Sequence, residues 1–307
     1  MRIVFFGTPQ FSADILASFF INSEQTIVGV VCQPDKPVGR KHLLTAPPTK
    51  VLAQQHGIPV WQPTKLKDPN FVYQLQDLSA DVFVVVAYGR IIPEAILNIP
   101  PYGCINLHPS LLPKYRGPSP MTASLVSGDS ETGISIMKLD VGMDTGPILS
   151  QQRLAIDPQE TIATLTQKVV MEGAPLLQKA LNEYVAGKIQ PHAQEEHLAT
   201  YCHLLKKEDG QVDFTKQTAE DIERRVRAYT PWPGVSAHIW GVDVKLLSTM
   251  VAKDATKIVA GETFIVDKKR LLVGTATSAL EVLTLQPSTK SPMNAEAFIQ
   301  GYAPKAA

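Results

Sequence analysis

The sequence is poor in cysteine and contains no long apolar run. Its three cysteines, Cys32, Cys104 and Cys202, have no metal-binding spacing, and so sparse and odd a set does not form a disulfide framework. No segment reaches the roughly 18 uninterrupted apolar residues of a membrane span, and the N-terminal apolar run is too short for a signal peptide. We therefore expect a soluble, cytoplasmic protein whose thiols are buried.

An excess of charge of either sign is also absent. Lys plus Arg and Asp plus Glu both total 29, so a nucleic-acid partner would have to bind a local basic patch. Hydrophobic residues make up 44% of the 307 residues, which is enough for a sizeable core. This length is typical of one large domain or two ordinary ones.

The N-terminal half alternates strand and helix patterns. Continuous apolar runs predict buried strands at 2–6, 26–32, 81–89 and 103–108. Helical periodicity over 10–20 and 48–57 separates the first of these runs. This order is typical of an α/β, doubly wound, Rossmann-like domain, in which ligands bind beyond the carboxyl ends of the parallel strands.

The sequence pattern changes in the second half of the chain. An antiparallel pair is predicted at 133–140 and 146–156, followed by a long helix over 160–186. Short strands with tight turns are then predicted at 235–240, 242–249, 257–265, 270–275 and 279–286. These strands favour a small OB-like β-barrel. We place the domains at 1–190 and 206–307, with a linker at 191–205.

The glycines of a dinucleotide-binding fingerprint are missing. Gly7 follows the first strand, where such a domain carries G-x-G-x-x-G, but it stands alone in "FFGTPQF". The missing glycines are those that let the backbone approach a pyrophosphate. We therefore expect no NAD cofactor.

Polar residues end the strand at 103–108. Asn106 and His108 point to the same face of that strand, because side chains alternate with a period of two. Two donors aimed at one point suit the stabilisation of an oxyanion, although both could equally cap the strand and satisfy loop backbone groups.

A later glycine-rich loop, "LDVGMDTG", carries Asp140 and Asp144. The carboxylate of Asp144 could reach His108, orient its ring and raise its pKa, which would favour a protonated histidine. A calcium site is the alternative reading, but two carboxylates alone make a poor one.

A basic, proline-rich loop spans residues 33–50. It carries Lys36, Arg40, Lys41 and Lys50 against a single acid, Asp35. Such a loop could contact phosphates, or it could be an ordinary solvated charge cluster.

Together these motifs resemble the superfamily of 10-formyltetrahydrofolate-dependent formyltransferases. The resemblance is carried by "NLHPSLLPKYRG" and the downstream "DVGMDTGPIL", and it covers about residues 1–190. "FFGTPQF", "PDKPVGRK", "TYCHLLKKEDGQVDF" and "RAYTPWPG" extend it over nearly the whole chain and are most similar to the methionyl-tRNA formyltransferases. Glycinamide ribonucleotide formyltransferases lack the C-terminal barrel, and the hydrolase domain of formyltetrahydrofolate dehydrogenase continues into a dehydrogenase.

The resemblance implies a chemistry and a set of site residues. It implies transfer of a formyl group from 10-formyltetrahydrofolate to the α-amine of methionyl initiator tRNA, by a monomer and without a metal. Asn106, His108 and Asp144 match the catalytic residues, with Asn106 and a protonated His108 donating to the oxyanion. The residues matching the folate site are Ser110, Leu111, Leu112, Pro113, Tyr88, Arg90, Ile92, Asp140 and Val141. Those matching the tRNA contacts are Lys36, Arg40, Lys41, Lys206 and Lys207.

Two other functions stay open at this point. The chain could formylate an amino-sugar nucleotide, or it could be a non-catalytic module that binds folate or RNA. Lys114 and Arg116 follow the folate loop in sequence and have no assigned role; either could contact a phosphate or the glutamate tail of the folate.

Overall fold

The structure is a computed structural model that describes residues 1–21, 24–39, 42–252 and 258–304. Its internal contacts divide the chain into two compact units. The first comprises Met1–Pro120, Glu131–Ala155 and Leu165–His203, and the second comprises Met121–Ser130, Ile156–Thr164 and Leu204–Ala307. The domain boundaries expected from the sequence, 1–190, 191–205 and 206–307, stay a prediction.

The strands of the first unit form one large sheet and one small hairpin. In chain order they are β1 (Arg2–Gly7), β2 (Thr26–Val31), β3 (Lys36–Val38), β4 (Leu43–Thr45), β5 (Val60–Trp61), β6 (Val82–Val86), β7 (Cys104–His108), β8 (Glu131–Lys138) and β9 (Ile148–Ala155). In the described part of the chain, seven of them form a sheet in the order β5-β2-β1-β6-β7-β8-β9, and β3 pairs with β4.

The strand order of the large sheet reverses beside β1. From β1 the chain runs outward to β2 and β5, and then returns to β6 on the other side of β1, all with parallel pairing. β7 continues the parallel part, whereas β8 and β9 are antiparallel. This confirms the predicted doubly wound α/β fold. It also places His108, the last residue of β7, at the edge where such sheets bind ligands.

Three of the helices, at 10–19, 48–55 and 162–185, lie close to where the sequence predicts them. The helices are α1 (Gln10–Phe19), α2 (Pro48–Gln55), α3 (Pro69–Asp77), α4 (Glu94–Leu97), α5 (Pro120–Ser127), α6 (Ile162–Val185), α7 (Ala219–Tyr229) and α8 (Ala295–Tyr302), with single turns of 3-10 helix at Glu196–Leu198 and Lys207–Gly210. Side chains cap several of them: Asp68 accepts from Asn70 N at the start of α3, and Thr218 accepts from Asp221 N at the start of α7.

The core of the first unit lies around the central strands. Every residue of β6 and β7 is buried, as is every residue of β1 after Arg2. The ring of Phe6 contacts the rings of Phe83 and Tyr88 within this core, at centroid distances of 5.3 and 5.4 Å. Continuous burial explains why these strands read as uninterrupted apolar runs.

Gly7 has a packing role at the end of β1. A Cβ at this position would lie 2.7 Å from Cβ of Ser12 and 3.0 Å from the carbonyl oxygen of Val86. The Ser12 hydroxyl donates to that same carbonyl at 2.5 Å, which ties α1 to the end of β6. The glycine therefore allows a close helix–strand contact.

The second unit contains a six-stranded antiparallel sheet in its described part. Its strands are β10 (Val235–Ile239), β11 (Val242–Ala252), β12 (Thr263–Val266), β13 (Arg270–Gly274), β14 (Ala279–Pro287) and β15 (Met293–Asn294). The order is β10-β11-β14-β13-β12, with β15 on β14. The antiparallel C-terminal domain is thus confirmed; among the described residues, β10 and β12 do not pair to close a barrel.

One strand of this unit differs from its predicted bounds. β12 begins at Thr263, whereas the sequence predicts a strand from residue 257, which lies outside the described residues. A turn at 259–262 precedes β12, where Glu262 N donates to the carbonyl of Val259. Across the described residues, no helix combines the length and apolar character needed to cross a membrane.

Candidate active site

His108 is buried at the end of β7 with a protein group facing each ring nitrogen. Nε2 lies 3.0 Å from the carbonyl oxygen of Tyr115, and Nδ1 lies 3.7 Å from Oδ2 of Asp144. A carbonyl can only accept, so Nε2 must carry a proton and donate it. The distance from Nδ1 to Asp144 is too long for a hydrogen bond. In the neutral ring, Nδ1 is therefore the nitrogen with a free lone pair.

Burial decides the charge of this histidine. It lowers the pKa of His108, because the charged ring loses water; the Asp144 carboxylate and the Tyr115 carbonyl act in the opposite direction but do not outweigh it. The sequence indicated the Asp144 effect, which acts on the pKa in the expected direction, but burial moves the pKa of His108 the opposite way and outweighs it.

The Asp144 loop has a folded backbone of its own. Asp140 Oδ1 accepts from Gly142 N at 3.0 Å and from the Thr145 hydroxyl at 2.7 Å. Asp144 has a φ of 54°, in the left-handed region, and a Cβ on Gly146 would collide with the carbonyl of Lys138. These constraints turn the Asp144 carboxylate toward β7.

The Asp144 carboxylate is also held from the other side. Its Oδ2 accepts from the backbone N–H of Gly117 at 2.7 Å. Tyr115, which accepts from His108, is two residues earlier and has a φ of 58°. The stretch 115–117 therefore holds both members of the His108–Asp144 pair.

Asn106 lies two residues before His108 on the same face of β7. Its side chain is 8% exposed, and its amide makes no hydrogen bond with any other residue in the described part of the chain. A buried amide normally has partners, so an unused donor beside a histidine is what a ligand-binding position provides.

The loop of Ser110, Leu111, Leu112 and Pro113 is fixed by hydrogen bonds to residues outside it. The Ser110 hydroxyl donates to the carbonyl of Lys114 at 2.6 Å, and Ser135 donates to the Ser110 carbonyl at 2.7 Å. Leu112 packs against Met137 and Ile148. Leu111 and Pro113 are half-buried and remain available for contact with a ligand.

The other residues that match the folate site are divided between the core and the surface. Tyr88 and Ile92 belong to the central apolar core, and the Tyr88 side chain is only 1% exposed. A folate contact by Tyr88 would therefore have to use its backbone. Arg90 is exposed and donates to the carbonyls of Pro63 and Thr64 at 3.1 Å. Asp140 is also exposed, and Val141 is 72% exposed.

The basic residues have different surroundings. Lys36 is exposed on β3, where its ammonium donates to Gln33 at 2.7 Å; Arg40 and Lys41 lie outside the described residues. Lys206 and Lys207 are exposed in the second unit. Lys50 donates to both carboxylate oxygens of Asp35 at 2.9 Å, so the single acid of the loop pairs its charge.

The groups that support the His108–Asp144 pair could not be predicted from the sequence. Tyr115 and Gly117 act through backbone atoms, which leave no signal in residue type. Arg116 has no role assigned from the sequence; it is fully buried, and its guanidinium donates to Gln194 and Glu196. Across the described residues, no three His, Cys, Asp or Glu side chains are grouped to hold a metal ion.

Comparison with known proteins covers both units. The family model described as formyl transferase matches residues 1–181, and the model described as formyl transferase, C-terminal domain, matches residues 204–303. The chain is 42% identical over 302 residues to the methionyl-tRNA formyltransferase of Myxococcus xanthus (strain DK1622), covering 98% of this chain and 95% of that protein. It is also 42% identical over 304 residues to the methionyl-tRNA formyltransferase of Chloroflexus aggregans, covering 98% and 97%.

A solved structure shares the fold at lower identity. WlaRD, described as a sugar 3N-formyl transferase in the presence of dTDP and 5-N-formyl-THF, has a TM-score of 0.66 at 17% identity. The match covers 95% of this chain and 99% of that chain. At this identity the likeness is evidence for the fold alone.

The pKa of His108 provides a test of the site geometry. Asp144→Asn removes the nearest charge that favours the imidazolium, so the pKa of His108 should fall further below its ordinary value than in the wild type. The measurement is an NMR titration of the histidine rings, with His108 assigned by its loss in His108→Gln. Asp77→Asn, on the exposed end of α3, should leave it unchanged.

The same titration has a consequence for stability. A lowered folded-state pKa means that the unfolded chain binds the His108 proton more tightly, so this residue should reduce stability as pH falls below about 6.5.

In the NMR titration, a rise in the pKa of His108 in Asp144→Asn would contradict the arrangement of His108 and Asp144.

Proposed function

The chain belongs to the methionyl-tRNA formyltransferases of the formyl transferase family, and from this premise we propose that it transfers the formyl group of 10-formyltetrahydrofolate to methionyl initiator tRNA. The acceptor is the α-amine of the esterified methionine, and the product serves translation initiation. The observation that carries the chemistry is the pairing of a buried His108 with Asp144 beside an amide, Asn106, that has no described protein partner.

The reaction exchanges one C–N bond for another. The amine lone pair attacks the formyl carbon, and the carbonyl oxygen becomes an oxyanion in a tetrahedral intermediate. The bond from that carbon to N10 of the folate then breaks, the oxyanion returns to a carbonyl, N10 takes up a proton and the amine nitrogen loses one. The folate supplies the reactive carbon, and the protein supplies position and electrostatics.

Asn106 is the donor to the oxyanion in this proposal. Its amide N–H groups are fixed on a buried strand before the reaction, so they need no reorganisation when the negative charge forms. The half-buried Leu111 supplies an apolar surface that excludes water from the formyl group.

His108 is the acceptor of the amine proton. Its neutral form has a lone pair at Nδ1, and protonation there gives an imidazolium held between the Tyr115 carbonyl and the Asp144 carboxylate. The positive ring then stands near the oxyanion. A histidine that is neutral at rest and charged during the reaction fits the lowered pKa better than one that begins protonated.

Binding of the folate and the tRNA is assigned to the residues that match the family. For the folate these are Leu111 and Pro113, with the backbone near Tyr88 and Val141. For tRNA phosphates they are Lys36, Arg40, Lys41, Lys206 and Lys207; the exposure of Lys36, Lys206 and Lys207 supports this assignment. We further propose a cytoplasmic monomer, and the free state of Cys32, Cys104 and Cys202 is consistent with a reducing compartment.

Replacing Asn106 tests the oxyanion role. Asn106→Ala should lower kcat by about 10²–10³-fold, because it removes a donor used only when the charge forms, with little change in the affinity for folate. Asn98→Ala, at the exposed end of α4, is the control and should behave as wild type. Single-turnover transfer and equilibrium folate binding separate the two effects. Near-normal turnover of Asn106→Ala would exclude Asn106 from the chemistry.

A parallel acceptor assay tests the function itself. The purified protein is given 10-formyltetrahydrofolate with charged initiator tRNA, glycinamide ribonucleotide or an amino-sugar nucleotide, and each product is identified by mass. We expect formyl-methionyl-tRNA alone. Formylation of the amino-sugar nucleotide with no reaction of the tRNA would show that the chain is a sugar-nucleotide formyltransferase instead. Folate binding without transfer to any acceptor would support a non-catalytic module.

A further inference from the structure

Arg116 is a buried charge at the centre of the site's supporting structure. Its side chain is 0% exposed, although a guanidinium is always charged. Nε and one Nη donate to Oε1 of Gln194 at 3.1 and 3.0 Å. The two Nη atoms also donate to the carboxylate oxygens of Glu196 at 2.9 and 2.8 Å, and one reaches the Tyr201 hydroxyl at 3.2 Å. These bonds use all five donors of the guanidinium.

Gln194 connects this buried charge to the Asp144 loop. While its Oε1 accepts from Arg116, its Nε2 donates to the carbonyls of Asp144 and Gly146 at 2.8 and 2.7 Å. The orientation of the amide is unambiguous, because arginine only donates and a carbonyl only accepts. One of these carbonyls is that of Asp144 itself, whose backbone is left-handed, so Gln194 stabilises a conformation that an aspartate rarely adopts.

The backbone of Arg116 is tied to the same part of the chain. Its N–H donates to the carbonyl of Thr200 at 2.9 Å, and its carbonyl accepts from Cys202 N at 2.8 Å. The residue before it holds His108, and the residue after it holds Asp144. One short stretch of backbone therefore sets the positions of both partners.

Residues 192–202 serve as a brace for the site. His192 exchanges two backbone hydrogen bonds with Ile148, at 2.8 and 2.9 Å, directly after the Asp144 loop. At the other end of the brace, the Thr200 hydroxyl accepts from Tyr115 N at 2.9 Å. This stretch lies within the predicted linker, and it bonds to both loops that surround His108.

We propose that Gln194 and Arg116 are positioning residues, which hold the Asp144 loop at the separation from His108 that catalysis requires. The inference rests on the proposed function for its effect on rate, whereas its structural part depends only on the His108–Asp144 pair. Neither residue touches the reacting atoms. Their role is to restrict a loop whose carboxylate must stay close to, but not bonded to, the histidine.

Gln194→Glu keeps the contact of residue 194 with Arg116 and removes its contact with the Asp144 loop. The carboxylate keeps an acceptor for Arg116, so the buried charge stays paired. It replaces the N–H donor with an oxygen, which repels the carbonyls of Asp144 and Gly146 and releases the loop. We expect kcat to fall about 10- to 100-fold, with the KM for 10-formyltetrahydrofolate changed by less than about 3-fold. Gln74→Glu, on the exposed face of α3, makes the same chemical change as a control.

Two further readouts distinguish positioning from general damage. In the Asp144→Asn background, Gln194→Glu should lower kcat by less than about 2-fold, because the carboxylate that it positions is already gone. In the otherwise wild-type protein, Gln194→Glu should lower the pKa of His108 measured by NMR, because Asp144 moves away.

The outcomes are separable from those of the proposed function. If the wild type transfers no formyl group to charged tRNA, the proposed function fails, and the His108 titration still tests the brace. The proposal that Gln194 positions the Asp144 loop is overturned if Gln194→Glu keeps the wild-type kcat and the wild-type pKa of His108. It is also overturned if Gln194→Glu lowers kcat as much in the Asp144→Asn background as it does alone. If thermal unfolding shows that Gln194→Glu does not fold, Gln194→Asn replaces it; that shorter amide cannot reach both partners, and the same outcomes apply.

Discussion

The hydrogen bond from His108 to the Tyr115 carbonyl fixes which ring nitrogen carries a proton. Because a strand end buries the ring, the cost of charging it is high, and the neutral form with its lone pair at Nδ1 is favoured at rest. Asp144 stands 3.7 Å from that nitrogen, which is close enough to favour a charge that appears during the reaction. The proposed chemistry depends on fixed distances between the His108 ring, the Tyr115 carbonyl and the Asp144 carboxylate. A small displacement would either pair Asp144 with the ring permanently or remove the effect of its charge on the ring.

The fold meets this requirement with backbone that has little freedom to move. Tyr115 and Asp144 both have left-handed φ values, and Gly146 sits where a side chain would collide with the backbone of β8. Such conformations are maintained by surrounding bonds rather than by their own preference. The bonds come from the stretch 192–202, which lies far from the site in sequence and next to it in the structure.

Much of this arrangement could be predicted from the sequence, for reasons that are local. Buried parallel strands such as β6 leave an uninterrupted apolar run, and the alternation of side chains places Asn106 and His108 on one face. The contact with Asp144 could be expected only because the glycines around it indicate a tight loop. The family resemblance then supplied the chemistry, which residue spacing alone left open.

The remainder depends on tertiary contacts. No sequence pattern marks Tyr115 as a backbone acceptor, and nothing in "PKYRG" distinguishes a buried arginine from one that binds a phosphate. The burial that lowers the pKa of His108 could not be predicted for the same reason, because desolvation is a property of the packed structure. No sequence pattern marks the ion pair between Lys50 and Asp35 either.

The protonation site of His108 in the neutral enzyme is the property on which this account depends most directly. It can be measured from the ¹⁵N chemical shifts of the two ring nitrogens in ¹⁵N-histidine-labelled protein, at a pH where the ring is neutral. The account predicts a protonated Nε2 and an unprotonated Nδ1. A neutral ring protonated at Nδ1, with Nε2 bare beside the Tyr115 carbonyl, would contradict it.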